Sequence, residues 1–304
     1  MHMADALVSP LVGAAFWAVS GTLIGYSAKK IAEENDPVKT PLMGVLGAFV
    51  FAAHMVNFSI PGTGSSGHIG GGLLLSILLG PYRAFIALAS VLIIQCLFFA
   101  DGGLLALGCN MFNLAFFPAF IAYPFIYRII SGNTVSPGRI ATGSITAAVA
   151  GLLMGSLSVI IQTVLSGITE LPFGTFLIFM LPIHAAIGVV EGLATWGVLS
   201  FVMKTDPGLL IMQQASPRPR FIVAFFTMAL LVGGGVGSWV RSSNPDGLEW
   251  SLAKVRGDKT SLSVASVDAG SSVSGIVGTL SVLVVAGSTG LVLGRKRPQH
   301  KGLK

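Results

Sequence analysis

Charge is what this chain has least of. Acidic and basic residues make up 10% of its 304 residues against 53% hydrophobic ones, and its mean hydropathy is +0.83. So little charge excludes an ordinary soluble domain of this length and puts the chain in a bilayer. Cysteine is nearly absent. Cys96 and Cys109 lie in apolar stretches without a CxxC spacing, so they read as packing residues rather than ligands or a disulfide. The sequence has no GxxxxGK[ST], which excludes ATP hydrolysis by a P-loop, and no HExxH, which leaves a zincin protease unsupported. Any ATP-driven work must therefore come from a partner. Runs of alternating polarity are also missing, which favours a helical bundle over a barrel.

What is present is a series of apolar stretches separated by charged or Pro/Gly-rich breaks. Most are long enough for a helix to cross a hydrocarbon core of about 30 Å. Spans are expected near 8–28, 41–58, 68–82, 84–100, 104–127, 140–166, 174–203, 221–240 and 273–293. The third is short and begins in a glycine-rich loop, so residues 60–82 are open to partial re-entry from one side. The fold class is an all-α membrane protein: a bundle of about seven transmembrane helices over 1–203, a cytoplasmic linker over 204–220 with three prolines, and an appended two-helix module over 221–304. That module carries an extracytoplasmic loop from Arg241 to Ser272.

Nine crossings put the two termini on opposite sides. With the amino terminus outside, fourteen of the eighteen Lys and Arg fall on the inner side, and Arg241, Lys254, Arg256 and Lys259 remain outside. By the positive-inside rule this predicts a multi-pass protein of the cytoplasmic membrane, amino terminus extracytoplasmic and carboxyl terminus cytoplasmic. It also accounts for the net charge of +6 without a nucleic-acid partner. No basic region precedes the first apolar stretch and no small-residue cleavage site follows it, so a removable signal peptide is not expected.

Met1 and His2 are the chemically distinctive residues. A free terminal amine, the backbone nitrogen of His2 and His2 Nδ1 can close a five- and a six-membered ring around one metal ion. The bulk of His2 predicts that Met aminopeptidase leaves Met1 in place. Pro61–Gly72, PGTGSSGHIGGG, contains a nominal GxGxxG, but its neighbours are membrane spans rather than a βαβ unit, which disfavours a dinucleotide site. The glycines instead present His68 at a helix start, on the same outer side as Met1 and His2. His68 would supply a fourth nitrogen. Four nitrogens, one a deprotonated amide, suit Ni(II) or Cu(II) in a planar site, with Co(II) possible in a relaxed geometry.

His184 and Glu191 share one helical face, with a rise of ~10 Å between them. Ionisable residues at that depth are costly and often functional. The spacing is too great for both to bind one ion, so each is expected as a packing element or a step in an ion path. His54 and Asn57, with Asn110 and Asn113, are candidates for supporting bonds around the site or between helices. Asp101 reads as a helix end in an outer turn.

Four segments together, MHMADALVSP, GTGSSGHIGGGLL, FFADGGLLALGCNMFN and HAAIGVVEG, resemble the CbiM/NikM family, the substrate-binding components of energy-coupling-factor transporters for cobalt and nickel. The resemblance covers about residues 1–203, and PDGLEW, Pro245–Trp250, resembles the small N component of a fused NikMN-type protein. It implies that Met1, His2 and His68 hold the ion, that the PDGLEW loop assists loading, and that the chain is not an enzyme. It also implies as partners a transmembrane coupling (T/Q-type) subunit and cytoplasmic ATPase (A/O-type) subunits. No resident cofactor is expected; the transported ion is Ni(II) or Co(II), and the planar nitrogen set with the fused module tilts the choice to nickel. The rival readings are cobalt uptake for corrinoid synthesis, an intramembrane metalloenzyme built on His184 and Glu191, and a passive channel. The enzyme lacks a recognisable nucleophile, and a channel has no need of a multidentate trap.

Overall fold

The computed structural model describes residues 1–34, 36–132, 136–169, 171–205, 224, 226, 227, 244–257 and 272–293. After a short 3-10 turn at Asp5–Leu7, the described helices are α1 (Pro10–Glu34), α2 (Lys39–His54), α3 (Gly72–Leu79), α4 (Pro81–Phe99), α5 (Leu107–Ser131), α6 (Pro137–Ser166), α7 (Phe173–Thr205), α8 (Gly247–Arg256) and α9 (Ser272–Leu293). Proline opens α1, α4 and α6 at a position whose N–H has no intrahelical partner anyway. Among the described residues, α1, α4, α5, α6 and α7 are long and apolar enough to cross a membrane.

Five of the nine expected spans thus have a helix of full spanning length. α2 and α9 form where two more were expected, although α2 has only 16 residues. The expected span 221–240 and the linker 204–220 fall almost wholly outside the described residues. The expected span at 68–82 is not a crossing: α3 has 8 residues and a length of about 12 Å at 1.5 Å per residue. It ends at Gly80, where the chain turns directly into α4.

A second departure is a small antiparallel hairpin, β1 (Phe58–Ile60) and β2 (Ser65–Gly67), paired Phe58 with Gly67 and Ile60 with Ser65. Its turn contains Gly62 and Gly64, both at positive φ (76° and 75°). The nominal GxGxxG is therefore turn chemistry inside an antiparallel hairpin, not the parallel βαβ unit that a dinucleotide site requires. Three-residue strands interrupted by glycine are too short to show an alternating pattern, which is why the sequence did not reveal them.

α3 and α4 lie at the centre of the bundle, with Leu75, Leu79, Phe85 and Leu88 fully buried. α6 and α7 pack along their length. A Cβ on Gly188 would lie 2.7 Å from Val149 Cα, and one on Gly192 2.4 Å from Ile145 Cα. Small residues one turn apart let the two backbones approach closely, as membrane helices do when lipid supplies no hydrophobic drive between them. α5 is wound as a π-helix from Phe112 to Tyr127, and the wider bore tolerates Pro118 and Pro124. Asn113 on α5 and Gln162 on α6 exchange two amide hydrogen bonds, at 2.7 and 2.9 Å, inside the bundle. The expected interhelical role of Asn113 is thus realised.

Both described parts of the appended module touch the bundle. α9 packs against α2 and α4, while α8 packs against α7 and the hairpin.

Candidate metal centre

The amino-terminal residues run into one end of the bundle rather than into solvent; Met1 and Met3 are buried. Asn110, in the first turn of α5, holds them with both ends of its amide. Its Oδ1 accepts from Met3 N at 2.8 Å and its Nδ2 donates to Met3 O at 3.1 Å, while Gly103 N donates to the same carbonyl at 2.9 Å. Asp5 Oδ1 accepts from Ala106 N at 3.0 Å. Each such buried bond contributes on the order of 1 kcal/mol, so the end of the chain is fixed in direction up to Met1.

Three histidines from distant parts of the chain meet there. The His2 and His68 rings stack at 5.2 Å, with His54 at 4.7 Å from His68 and 6.1 Å from His2. Their hydrogen bonds separate their roles. His54 uses both nitrogens, Nε2–H donating to Gly70 O at 2.9 Å and Nδ1 accepting from Gln95 Nε2 at 3.1 Å. It is a support. His68 Nδ1–H donates to Ile69 O at 3.3 Å, so its Nε2 carries a lone pair. His2 Nδ1 lies 3.2 Å from Asp101 Oδ1, and His2 Nε2 is buried with no hydrogen-bond partner among the described residues. Nδ1 thus faces Asp101, and for it to turn toward the terminal amine the ring must rotate about χ2, which exchanges Nδ1 with Cδ2 and Nε2 with Cε1. Asp101 therefore faces the site, where the sequence suggested only a helix end.

Burial, then the positive terminal amine and His54, hold the His2 pKa well below its ordinary value; burial, then His54 and His2, do the same for His68. Both imidazoles are neutral at pH 7, the state in which histidine binds a metal.

The loop that presents His68 is held from below by Glu191 on α7. Its two carboxylate oxygens accept from Gly70 N at 2.9 Å and Gly71 N at 3.0 Å. Gly71, at φ 71°, then starts α3. Glu191 is thus neither a direct neighbour of His184 nor a free ionisable group; it fixes the backbone two residues beyond His68. Asn57 Oδ1 is buried without a hydrogen-bond partner among the described residues.

PDGLEW closes the site from the other module. Ser66 N donates to Pro245 O at 2.8 Å, Ser66 Oγ to Asn244 O at 2.8 Å, and Trp250 Nε1 to Thr63 O at 2.9 Å, so the segment lies alongside the hairpin. Asp246 is the N-cap of α8: Oδ1 accepts from Glu249 N at 2.8 Å and Glu249 Oε2 accepts from Asp246 N at 3.3 Å, a complete capping box. The Asp, Gly and Glu of the motif each have a local cause. Gly247 sits where a Cβ would come within 2.6 Å of Ile183 and 3.1 Å of His184. The second oxygen of Asp246 reaches the terminal amine of Met1 at 3.4 Å. Burial works to raise the Asp246 pKa, but the adjacent ammonium, the Glu249 N–H and the two imidazoles pull it down to about 2. Burial and the neighbouring Asp246 charge push Glu249 up to about 7. The sequence flagged PDGLEW but gave no means of finding the Asp246–Met1 contact, which spans 245 positions.

Among the described residues no three His, Cys, Asp or Glu side chains converge as a metal cluster. Met1, His68, His184 and Asp246 instead border one small, mainly apolar pocket. The molecule is a multi-pass helical membrane protein with a nitrogen-rich site at one end.

The comparisons agree with that class. A family model described as the cobalt uptake substrate-specific transmembrane region matches residues 2–209, and one for the PDGLE domain matches 219–266. A provisionally named fused nickel transport protein NikMN from Archaeoglobus fulgidus is 38% identical over 221 residues, covering 71% of this chain and 70% of that protein. The cobalt transport protein CbiM of Sorangium cellulosum is 29% identical, covering 69% and 94%. A crystal structure of a transition metal transporter superposes with a TM-score of 0.60 at 30% identity, covering 68% of this chain and 94% of that one. The chain belongs to the CbiM family, fused to a PDGLE domain, and is a transport protein rather than an enzyme.

Proposed function

We propose that this protein captures Ni(II) at the outer face of the cytoplasmic membrane and is the substrate-specificity subunit of an ATP-driven energy-coupling-factor importer. The observation that carries the reading is the enclosure of the Met1 amine beside His2 and His68, whose rings lie 5.2 Å apart. The ligands are the Met1 amine, the deprotonated His2 amide, His2 Nδ1 and His68 Nε2. Binding releases one proton from the ammonium and one from the amide, while the imidazoles are already neutral. Four nitrogens with an amide anion favour a planar ion, hence nickel. Asp246 loses its ammonium partner when the amine turns to the metal and keeps a negative charge beside the incoming cation. The PDGLE-bearing module, taken as residues 221–304 beyond the 204–220 linker, assists loading by this contact.

The chain carries no P-loop, so a transmembrane coupling subunit and cytoplasmic ATPases supply the energy. Its Lys and Arg distribution supports an external amino terminus and an internal carboxyl terminus. The cobalt-named relative favours Co(II) as the competing substrate.

The test is a metal titration of purified protein with its native terminus beside a variant carrying one extra residue before Met1. The native protein should bind one Ni(II) per chain with the absorption of a planar nitrogen complex, and prefer it to Co(II). Equal binding by the extended variant would overturn the claw. A preference for Co(II) in the native protein would reassign the substrate.

A further inference from the structure

His184, on α7, has one occupied and one unoccupied nitrogen. Nδ1–H donates to Met180 O at 2.8 Å, which fixes the tautomer and leaves a lone pair on Nε2. His184 is 1% exposed, and its Nε2 has no partner among the described residues. Leaving a buried polar atom unpaired is unfavourable, because its lost hydration is not replaced. A histidine kept only for packing has no reason to incur that cost.

The imidazole borders a cavity of about 20 Å³ together with Met1, His68, Asp246, Gly247, Leu114 and Leu152. That is room for a single water or ion. A Cβ on Gly247 would stand 3.4 Å from His184 Nε2, so the absence of a side chain there keeps this nitrogen open to the cavity. A histidine whose one N–H is anchored on a backbone carbonyl while the other nitrogen keeps its lone pair is the arrangement typical of a metal ligand.

We propose that His184 Nε2 and the Asp246 carboxylate form a second, transient cation site, which takes the divalent ion as it leaves the Met1–His2–His68 claw. The inference rests on the import reading. A neutral imidazole and a carboxylate are ligands for a borderline divalent cation such as Ni(II), and neither needs to lose a proton at pH 7 to bind it. Leu114, Leu152 and Ile187 supply no donor on their part of the wall, so only two side chains beyond the claw hold the ion and it can move on. His184 stands in α7, so the site joins the claw to that span.

The experiment uses the full chain in its assembled transporter, with His184→Ala and His184→Gln. The absorption band of the claw-bound Ni(II) reports whether each variant retains its fold and outer site. ATP-driven Ni(II) uptake should fall about tenfold or more in both, the scale on which losing a metal-site partner acts. In protein with the claw blocked by one residue before Met1, the weak Ni(II) binding that remains should disappear with His184→Ala. Unchanged uptake in both variants, or residual binding indifferent to His184, would overturn the relay. Loss of the claw band in both variants would also overturn it, assigning His184 to support of the outer site. Failure of the claw itself is read separately, from tight binding that survives the extension.

Discussion

Asp246 performs two tasks with two oxygens, and substitutions can separate them. Asp246→Asn retains an oxygen for the α8 cap, since asparagine caps as well as aspartate, but removes the charge that faces the Met1 ammonium. The carboxyl pKa is lowered from 3.8 to about 2, and the side chain is only 21% exposed. At 1.36 kcal/mol per unit this corresponds to roughly 2 kcal/mol. Asp246→Ala removes the cap as well, adding about 1 kcal/mol. The assay is hydrogen exchange at Ser66 N, bonded to Pro245 O, and at Trp250 N, bonded to Asp246 O. If the segment opens as a unit, protection should fall by at most roughly 30-fold in the Asn variant, since part of the lowering comes from the Glu249 N–H that asparagine keeps, and further in the Ala variant, at 1.4 kcal/mol per decade. The sign with pH follows from a lowered carboxyl: the stabilisation is complete above the unfolded value of 3.8 and is lost as pH falls toward about 2. Acidifying the unaltered protein through that window should reproduce the Asn phenotype. An Asn variant with unaltered protection would refute the ion pair, and Asn and Ala variants of equal protection would refute the separate role of the cap.

Glu191→Ala should leave Gly70 N and Gly71 N buried without acceptors and let the His68 loop drift. Ni(II) affinity in the same titration should fall about 10- to 100-fold, with Glu191→Gln, which keeps one acceptor, intermediate. His2 and His68 have folded-state pKa values lowered by burial, so between 6.5 and those lower values the unfolded chain binds more protons than the folded one. Stability of the metal-free protein should therefore drop as pH falls below about 6.5, and His68→Asn should flatten that slope in a thermal melt; an unchanged slope would refute the assignment.

The helical bundle was legible because hydropathy over some twenty residues is a local property, and α1, α4, α5, α6 and α7 each announce themselves by it. α3 stayed open between a crossing and a partial re-entry because eight apolar residues beside a glycine-rich loop look like the start of a span when only composition is visible. Met1, His2 and His68 stood out by residue type and by the side of the membrane they share. Nothing local in FFADGG tied Asp101 to His2, and the seven-residue spacing of His184 and Glu191 did not reveal that one faces a cavity and the other two backbone amides.

The sequence by itself determined the solvent and the fold class and singled out the candidate nitrogen donors, because each depends on composition or on a residue's identity at one position. Only the tertiary structure decided which donors meet, which histidine is already committed to hydrogen bonds, and that Asp246 lies against Met1. Those depend on contacts between residues far apart in the chain, where loop closure brings together groups whose burial and charge then set one another's protonation.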